Sequence, residues 1–140
     1  MKYLIGYTQG VFDMFHIGHL NLLKQAKELC DILIVGVNSD DLVRSYKHKS
    51  TIIAEDQRVN IISSIRYVDK AVIVNTLDKV DALKKFKFDA LFIGDDWKGN
   101  PRWIETENKM KENGVDLVYL SRTQGISSTE LRIKLDEMDK

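Results

Sequence analysis

The chain has 140 residues, 44% hydrophobic and 30% charged, and its 21 basic and 21 acidic residues cancel to a net charge of zero. This length suits one domain, 1–140, that buries most of its apolar surface, and neutrality gives no support to a nucleic-acid-coating or membrane-surface role. The single cysteine, Cys30, excludes an internal disulfide and a cysteine-based zinc site within one chain. No apolar run has the length of a signal sequence or a membrane span, so we expect a cytoplasmic protein.

Short apolar runs alternate with helical periodicity along the whole chain. Five runs rich in Val, Ile, Leu and Tyr are predicted strands: Tyr3 to Thr8, Ile32 to Val37, Ala71 to Val74, Ala90 to Ile93 and Leu117 to Leu120. Apolar residues recur at helical spacing in the segments between them: Leu20 to Cys30, Val59 to Ile65 and Val80 to Phe86. Such alternation predicts parallel strands joined by right-handed crossovers. We therefore predict an α/β fold, a single Rossmann-like doubly wound domain with a five-stranded parallel sheet.

Ligands of such sheets bind beyond the carboxyl ends of the strands, near the point where the strand order reverses. The segments that follow the strands are therefore the places where a site is expected. They are Gln9 to His19, Asn38 to Asp41, Gly94 to Trp103, and Ser121 to Thr129.

Two histidines, His16 and His19, stand where the first strand gives way to a helix. Their spacing puts both on one helix face, while Gly10 and Gly18 let the backbone approach a ligand closely. Two imidazoles above a helix N-terminus can place several hydrogen-bond donors around one phosphate. The plainer interpretation is one core histidine and one exposed histidine, and a metal site lacks a third nearby ligand. The pair at this position favours phosphate binding.

A second polar segment, Arg122 to Thr129, follows the last strand and opens the last helix, with Ser127 or Ser128 as its N-cap. Backbone amides, hydroxyls and a guanidinium would converge there on the same anion as the histidines. Simple helix capping explains the hydroxyls but leaves Thr123 and Gly125 unexplained.

Four motifs in order resemble those of the small cytidylyltransferases, and the resemblance extends over nearly the whole chain. The motifs are Gly10 to His19, Arg66 to Asp69, Gly94 to Trp97, and Arg122 to Thr129. The tetrapeptide from His16 to His19 also marks class I aminoacyl-tRNA synthetases. This chain lacks their lysine-rich second signature and is too short to be a tRNA-charging enzyme.

The resemblance implies transfer of CMP from CTP to a small phosphorylated alcohol, first of all glycerol 3-phosphate, in a homodimeric enzyme that uses Mg²⁺ together with CTP. It implies catalytic roles for His16, His19, Lys49 and Arg122. It implies nucleotide contacts for Gly10, Val11, Phe12, Gly18, Asp96, Trp97, Thr123, Gly125, Ile126, Ser127, Ser128 and Thr129. No protein ligand for the metal is assigned.

Two lysines, Lys47 and Lys49, lie between the second strand and a helix that begins near Glu55. A mobile lysine there could neutralise charge on the attacking or departing phosphate. Solubility alone explains a lysine-rich loop, but the resemblance favours Lys49 as the catalytic lysine. Lys47 is then a candidate for acceptor binding, and His48 has no assigned role.

Other charged residues have both a plain and a functional interpretation. Arg66 suits the end of a helix dipole, while the resemblance places Arg66 and Asp69 at a dimer interface or the acceptor site, with a salt bridge across the dimer. Asp95 and Asp96 could act as acid and base or as metal carboxylates, but the neighbouring Trp97 favours contact with the nucleoside. Arg102 is a candidate for binding the acceptor phosphate.

Three departures from the family pattern weaken the substrate assignment more than the reaction. Val11 replaces a threonine whose contact Thr8 or Gln9 could supply, and Gln124 replaces a glutamate. The loop from Asn100 to Trp103 gives this chain a different approach to the pocket. Phosphoethanolamine or phosphocholine as the acceptor, an adenylyltransferase of the same superfamily, and a non-catalytic nucleotide sensor therefore stay open. The pathway, whether wall polymer, capsule or lipid synthesis, also stays open.

Overall fold

Five parallel strands form one sheet in the computed structural model, which describes residues 2–122 and 128–138. The strands are β1 (Tyr3–Gly10), β2 (Cys30–Asn38), β3 (Lys70–Val74), β4 (Ala90–Gly94) and β5 (Asp116–Leu120). Their order across the sheet is β3-β2-β1-β4-β5. The predicted doubly wound parallel sheet is confirmed. Each strand begins and ends within two residues of its predicted bounds.

The strand order reverses beside β1. The chain runs outward from β1 through β2 to β3, and then crosses to the other side of β1 for β4 and β5. The ladder between β1 and β4 is short, pairing only Gly6 with Ala90 and Tyr7 with Leu91. The Thr8 hydroxyl closes it by donating to the Phe92 carbonyl at 3.0 Å. A crevice therefore opens beyond the ends of these two strands, where ligands of such sheets bind.

Helices cover both faces of the sheet. They are α1 (Ile17–Glu28), α2 (Asp40–Lys47), α3 (Glu55–Ser63), α4 (Lys79–Phe86), α5 (Pro101–Glu112) and α6 (Ser128–Met138). One buried cluster places Leu23 of α1 and Ile62 of α3 against β2, and the other places Ala82 of α4 and Met110 of α5 against β4. Within the described part of the chain, no helix is long and apolar enough to span a membrane.

Helix α2 was not expected, because we predicted a loop that contains Lys47 and Lys49. Only Val43 of α2 is buried, so the segment has no apolar repeat from which to predict a helix. The sequence feature that marks the start of α2 is instead its N-cap, Ser39, whose side chain accepts a hydrogen bond from Leu42 N at 3.1 Å. Lys47 is the last residue of α2, and His48 ends it with φ of 56°.

Two further boundaries differ from the prediction. Helix α1 ends at Glu28, so Cys30 begins β2 as a buried residue and does not lie on a helix. Asn100, expected in a loop, is the N-cap of α5 and accepts from Arg102 N at 3.0 Å, and Pro101 opens the helix. Proline suits this first position because its missing N–H would have no helical partner there.

Arg58 on α3 holds the segments around the crevice together. Its side chain is 1% exposed and donates to the carbonyls of Ile53 (2.9 Å), Val11 (2.8 Å) and Asn38 (2.7 Å). It also pairs with the Asp40 carboxylate at 2.6 Å. A guanidinium offers five donors in a fixed plane. This one side chain therefore joins three parts of the chain: the residues after β1, the end of β2, and residues 48–54 between α2 and α3, which we call the lysine segment.

Replacing Arg58 is expected to destabilise the fold strongly. The R58M variant removes the arginine donor from three carbonyls and from Asp40, which keeps its bonds from Thr51 and Glu55. It should lower the free energy of unfolding by about 3–5 kcal/mol. Urea denaturation measures this loss. The matched control is R44M, which removes an exposed arginine paired with Asp41. If R58M were as stable as R44M, the anchoring role of Arg58 would be wrong.

Candidate active site

A cavity of about 470 Å³ lies at the carboxyl ends of the strands, within the usual size range of small-molecule sites. It brings together most of the predicted site residues: Gly10, Val11, Phe12, His16, Gly18, His19, Lys47, Lys49, Asp96, Trp97, Arg102, Arg122, Ser128 and Thr129. Four others, Thr123, Gly125, Ile126 and Ser127, lie outside the described residues, as does the departure Gln124. Arg66 and Asp69 do not line the cavity.

The two histidines cap helix α1 reciprocally. His16 is the N-cap, and its Nδ1 accepts from Gly18 N at 3.0 Å, while His16 N donates to Nδ1 of His19 at 3.3 Å. The imidazole rings are stacked with centroids 3.8 Å apart. Because both Nδ1 atoms accept backbone hydrogen bonds, each neutral ring carries its proton on Nε2. The cap therefore fixes two adjacent imidazoles in the tautomer that can donate from Nε2.

His19 is held in its neutral form. Burial, followed by the neighbouring His16, lowers the pKa of His19 to about 4, although Asp13 opposes the shift. Phe12 and Phe15 pack against the ring, with centroids 5.4 and 5.5 Å away. At neutral pH the residue is thus a hydrogen-bond donor without a charge, and its orientation is fixed on several sides.

Phe12 was predicted to contact the nucleotide, but most of its side chain is buried against His19 and the core. Phe12 and Met14 have φ of 54° and 48°, a left-handed conformation that is uncommon for residues other than glycine. Such conformations are often found at functional sites, where the surrounding structure maintains them. Phe12 therefore serves the site mainly by supporting His19.

Asp13 joins three segments of the site and was not singled out in the sequence. Its carboxylate is 3% exposed and accepts from Ile52 N (2.8 Å), Ile53 N (2.9 Å) and Arg132 Nη2 (2.5 Å). The Ser128 hydroxyl donates to the Asp13 carbonyl at 2.6 Å. Burial alone would raise the pKa of Asp13, but these hydrogen bonds outweigh it and hold the pKa below its usual value.

Cations from three elements face the cavity. Lys47 ends α2, Lys49 follows it, and Arg132 projects from α6. Desolvation, then the charge of Arg132, lowers the pKa of Lys47. Arg122 follows β5, and its backbone N–H donates to Asp95 Oδ1 at 3.3 Å. This concentration of positive charge suits a ligand with several negative charges.

The segment after β4 lines one side of the cavity, and it is the segment that we predicted to contact the nucleoside. Asp95–Trp97 is a single 3₁₀ turn, and both Asp96 and Trp97 are exposed. A Cβ on Gly94 would lie 2.7 Å from Asp96 Oδ1, so only glycine allows that carboxylate its position. The Trp97 and Trp103 rings are 6.5 Å apart between centroids.

Arg66 and Asp69 lie away from the cavity, and their assignment to a dimer interface or the acceptor site stays a prediction. Asp69 precedes β3 and so lies at the amino ends of the strands, away from the cavity, where it pairs with Lys27 at 2.7 Å and accepts from Leu33 N at 2.7 Å. Arg66 donates to the Tyr67 hydroxyl at 3.0 Å. The Asp69 carboxylate is therefore engaged within its own chain.

A polar network that we did not predict forms the cavity floor beyond β1 and β2. The Gln9 side chain donates to Asn38 Oδ1 and to the Thr76 carbonyl, each at 2.9 Å, and accepts from the Tyr7 hydroxyl at 2.6 Å. The Asn38 amide donates to the Tyr46 hydroxyl at 3.1 Å. Thr8 was one candidate to replace the hydroxyl missing at Val11, but its hydroxyl is bonded to the backbone of β4.

Two carboxylates of the described residues line the cavity, those of Asp13 and Asp96. Among the described residues, no group of three or more His, Cys, Asp or Glu side chains is placed to hold a metal ion. Mg²⁺ commonly keeps several waters and takes one or two carboxylates together with substrate phosphates. Asp96 lines the cavity and could supply one carboxylate, whereas Asp13 is already engaged.

The pKa of His19 predicts how stability changes with pH. Between about pH 6.5 and about pH 4 the unfolded chain binds a proton at His19 that the folded chain excludes, so stability falls as pH falls through this range. The H19N variant should lose less unfolding free energy than the wild type between about pH 7.5 and about pH 5. Urea midpoints at the two pH values measure it. Equal losses in both proteins would contradict a neutral His19.

Comparison with known proteins agrees with this geometry. A family model described as cytidylyltransferase-like matches residues 7–134. The sequence is 35% identical over 136 residues to glycerol-3-phosphate cytidylyltransferase of Staphylococcus aureus, covering 96% of each chain. It is also 36% identical over 118 residues to FAD synthase of Thermococcus kodakarensis, covering 83% of this chain and 75% of that protein.

A solved structure agrees as well. The fold matches a lipopolysaccharide core biosynthesis protein of Thermoplasma volcanium with a TM-score of 0.76 and 31% identity, over 87% of this chain and 99% of the other. Family model, full-length relatives and fold all lead to one assignment. The chain belongs to the cytidylyltransferase-like family and is a nucleotidyltransferase.

Proposed function

We propose that the enzyme transfers CMP from CTP to glycerol 3-phosphate and releases pyrophosphate. A phosphate oxygen of the acceptor attacks the α-phosphorus of CTP and forms the new P–O bond. The bond from the α-phosphorus to the bridging oxygen breaks, and its electron pair leaves with pyrophosphate, so the product is CDP-glycerol. The acceptor oxygen is already anionic, so the reaction needs positioning and charge stabilisation more than a base.

The observation that carries the proposal is the reciprocal histidine cap at the N-terminus of α1. It presents two imidazoles in the donor tautomer at a helix end that favours anions. We assign His16 and His19 to the α-phosphate, where charge develops in the transition state. Lys49 and Arg122 line the same cavity and would neutralise the attacking and departing phosphates. The similarity to a glycerol-3-phosphate cytidylyltransferase over 96% of both chains supports the acceptor.

The proposal includes three further features. Asp96 and Trp97 would contact the nucleoside, with Thr129 and Ser128 beside the phosphates. Mg²⁺ bound with CTP would neutralise charge on the leaving pyrophosphate. The enzyme would act in the cytoplasm as a homodimer, with the exposed Arg66 surface as a candidate interface.

Removing either histidine is expected to lower activity far more than stability. In H16N and H19N the loss of a positioned donor should reduce kcat by roughly 10²- to 10³-fold, measured by pyrophosphate release. The chain supplies a matched control in its third histidine, His48, because asparagine tolerates the left-handed φ there. H48N should keep wild-type kcat. Near-normal turnover in both H16N and H19N would refute the assignment.

One alternative has a specific observation in its favour, namely the similarity to a FAD synthase. FAD contains an adenylyl group, so the alternative is transfer of AMP from ATP. A pyrophosphate-release screen should compare CTP with ATP, each with Mg²⁺, against glycerol 3-phosphate, phosphoethanolamine and phosphocholine. We expect release with CTP and glycerol 3-phosphate. Release only with ATP would replace the proposal by adenylyl transfer, and binding of CTP without release under any condition would indicate a sensor.

A further inference from the structure

Four polar side chains on the floor of the cavity form a hydrogen-bonded chain that has no role in the assignments above. It runs from Tyr7 through Gln9 and Asn38 to Tyr46, with bonds of 2.6, 2.9 and 3.1 Å. Tyr7 has no exposed surface, whereas the other three side chains line the cavity. The chain therefore connects the core of the sheet with the space that a ligand would occupy.

The backbone carbonyl of Thr76 fixes the direction of every bond in this chain. A carbonyl can only accept, so the Gln9 atom 2.9 Å from it is Nε2, which also donates to Asn38 Oδ1. The remaining polar atom of Gln9, Oε1, accepts from the Tyr7 hydroxyl. The Asn38 amide nitrogen then faces Tyr46 and donates to its Oη. All three bonds point from the core towards the cavity.

The buried end of the chain is held in place by packing. The Tyr7 ring stacks on Phe86 and Phe88, with centroids 5.3 and 4.9 Å away. A Cβ on Gly36 would lie 2.2 Å from the Tyr7 Oη, so glycine at this position leaves room for the hydroxyl. Burial, followed by the charge of Asp81, raises the pKa of Tyr7. The hydroxyl therefore keeps its proton and stays a donor at neutral pH.

The cavity end of the chain is the Tyr46 hydroxyl. Its oxygen accepts from Asn38, and none of the other described residues accepts its proton. A hydroxyl that is already engaged as an acceptor offers its proton to the next group. The Lys47 ammonium adds positive charge nearby, 5.9 Å from the centroid of the Tyr46 ring. This end of the cavity therefore suits an oxygen with a lone pair and disfavours a cationic donor.

We propose that Tyr46 determines which alcohol the enzyme accepts, by donating a hydrogen bond to a hydroxyl of the phosphorylated alcohol. Tyr7, Gln9 and Asn38 are positioning residues that hold Tyr46 as a donor. This role rests on the proposed function and specifies how its second substrate is selected. A hydroxyl oxygen can accept the bond, whereas the ammonium of phosphoethanolamine has only donors. The chain thus selects a polyol phosphate against an amino alcohol phosphate.

The topology places this chain away from the proposed nucleoside contacts. Asp96 and Trp97 follow β4, on one side of β1, whereas Tyr46 lies on α2, which follows β2 on the other side. His16 and His19 follow β1, between the two. An alcohol bound at Tyr46 and a nucleoside bound at Trp97 would therefore lie on separate sides of the α-phosphate assigned to the histidines.

The first test removes the Tyr46 hydroxyl and, separately, the hydroxyls of the acceptor. Glycerol 3-phosphate is compared with 3-hydroxypropyl phosphate, which lacks its central hydroxyl, and 2-hydroxypropyl phosphate, which lacks its terminal one. In the wild type, kcat/KM for one analogue should be about 10-fold lower than for glycerol 3-phosphate. In Y46F that difference should disappear.

The control for Y46F is Y119F, because the Tyr119 hydroxyl bonds to Glu107 and does not line the cavity. Y119F should keep the wild-type preference. A merely structural role of Tyr46 would lower kcat/KM for all three acceptors by the same factor. That result, or a wild type that uses all three equally well, would refute the proposal.

The second test reverses the last bond of the chain. In N38D the carboxylate still accepts from Gln9 but has no proton for Tyr46, so the Tyr46 hydroxyl donates to it and turns a lone pair towards the cavity. The ratio of kcat/KM for glycerol 3-phosphate to kcat/KM for phosphoethanolamine should fall at least about 10-fold. Partial unfolding lowers both values equally and leaves this ratio unchanged.

The matched control for N38D is N108D, which adds the same charge at an exposed position of α5 outside the cavity. N108D should keep the wild-type ratio. If N38D kept it as well, the direction of the chain would not decide the choice of acceptor, and the proposal would be wrong.

These tests can fail separately from the proposed function. If the wild type releases no pyrophosphate from CTP with any of these acceptors, the proposed reaction is wrong. Calorimetric titration of the three alcohol phosphates into wild type and Y46F without CTP then decides the role of Tyr46, because only the wild type should discriminate among them. If glycerol 3-phosphate is turned over normally but Y46F keeps the wild-type preference, the reaction stands and the role of Tyr46 does not.

Discussion

The site depends on the buried carboxylate of Asp13. It accepts hydrogen bonds from Ile52 and Ile53 and pairs with Arg132. These contacts fasten the lysine segment and helix α6 to the motif that carries the two histidines. A buried carboxylate is tolerated only when such donors surround it, so the requirement to satisfy Asp13 fixes the relative position of three segments. Cations and hydrogen-bond donors from distant parts of the sequence are thereby held around one cavity.

Charge is distributed unevenly in a chain that is neutral overall. The cavity gathers Lys47, Lys49, Lys79, Arg122 and Arg132, whereas carboxylates elsewhere pair with exposed lysines on the helix surfaces. The two imidazoles differ from these cations because the helix cap holds them as donors, and His19 stays neutral. A reaction between two anions gains from both kinds of group, since the cations reduce repulsion and the neutral donors can meet charge that develops late.

The sequence by itself determined the sheet and the position of the site. Five apolar runs with turn residues at their ends predicted five parallel strands, because burial on both faces leaves a local pattern in the chain. The rule that ligands of such sheets bind beyond the carboxyl ends of the strands then directed the search to the segments that follow each strand. The helix-start histidines were equally predictable, since both members of the pair and the cap they form lie within four consecutive residues. Helix α2 was not predicted, because it buries only Val43 and its sequence therefore has no repeat of apolar residues.

Only the tertiary structure decided how the charged residues pair, and only it added Asp13, Lys79 and Arg132 to the cavity. Asp13 and Arg132 are separated by 119 positions, and Asp69 meets Lys27 across 42, so no spacing in the sequence reveals either pair. The resemblance placed Asp69 near the site, but in the fold it pairs with Lys27 at the amino ends of the strands, away from the cavity. In the sequence, Lys79 cannot be told from a surface lysine. Its burial against Trp103 results from the packing of α4 and α5. Partners that meet through packing are set by the whole fold, because burial and the cost of an unpaired charge arise only when distant elements come together.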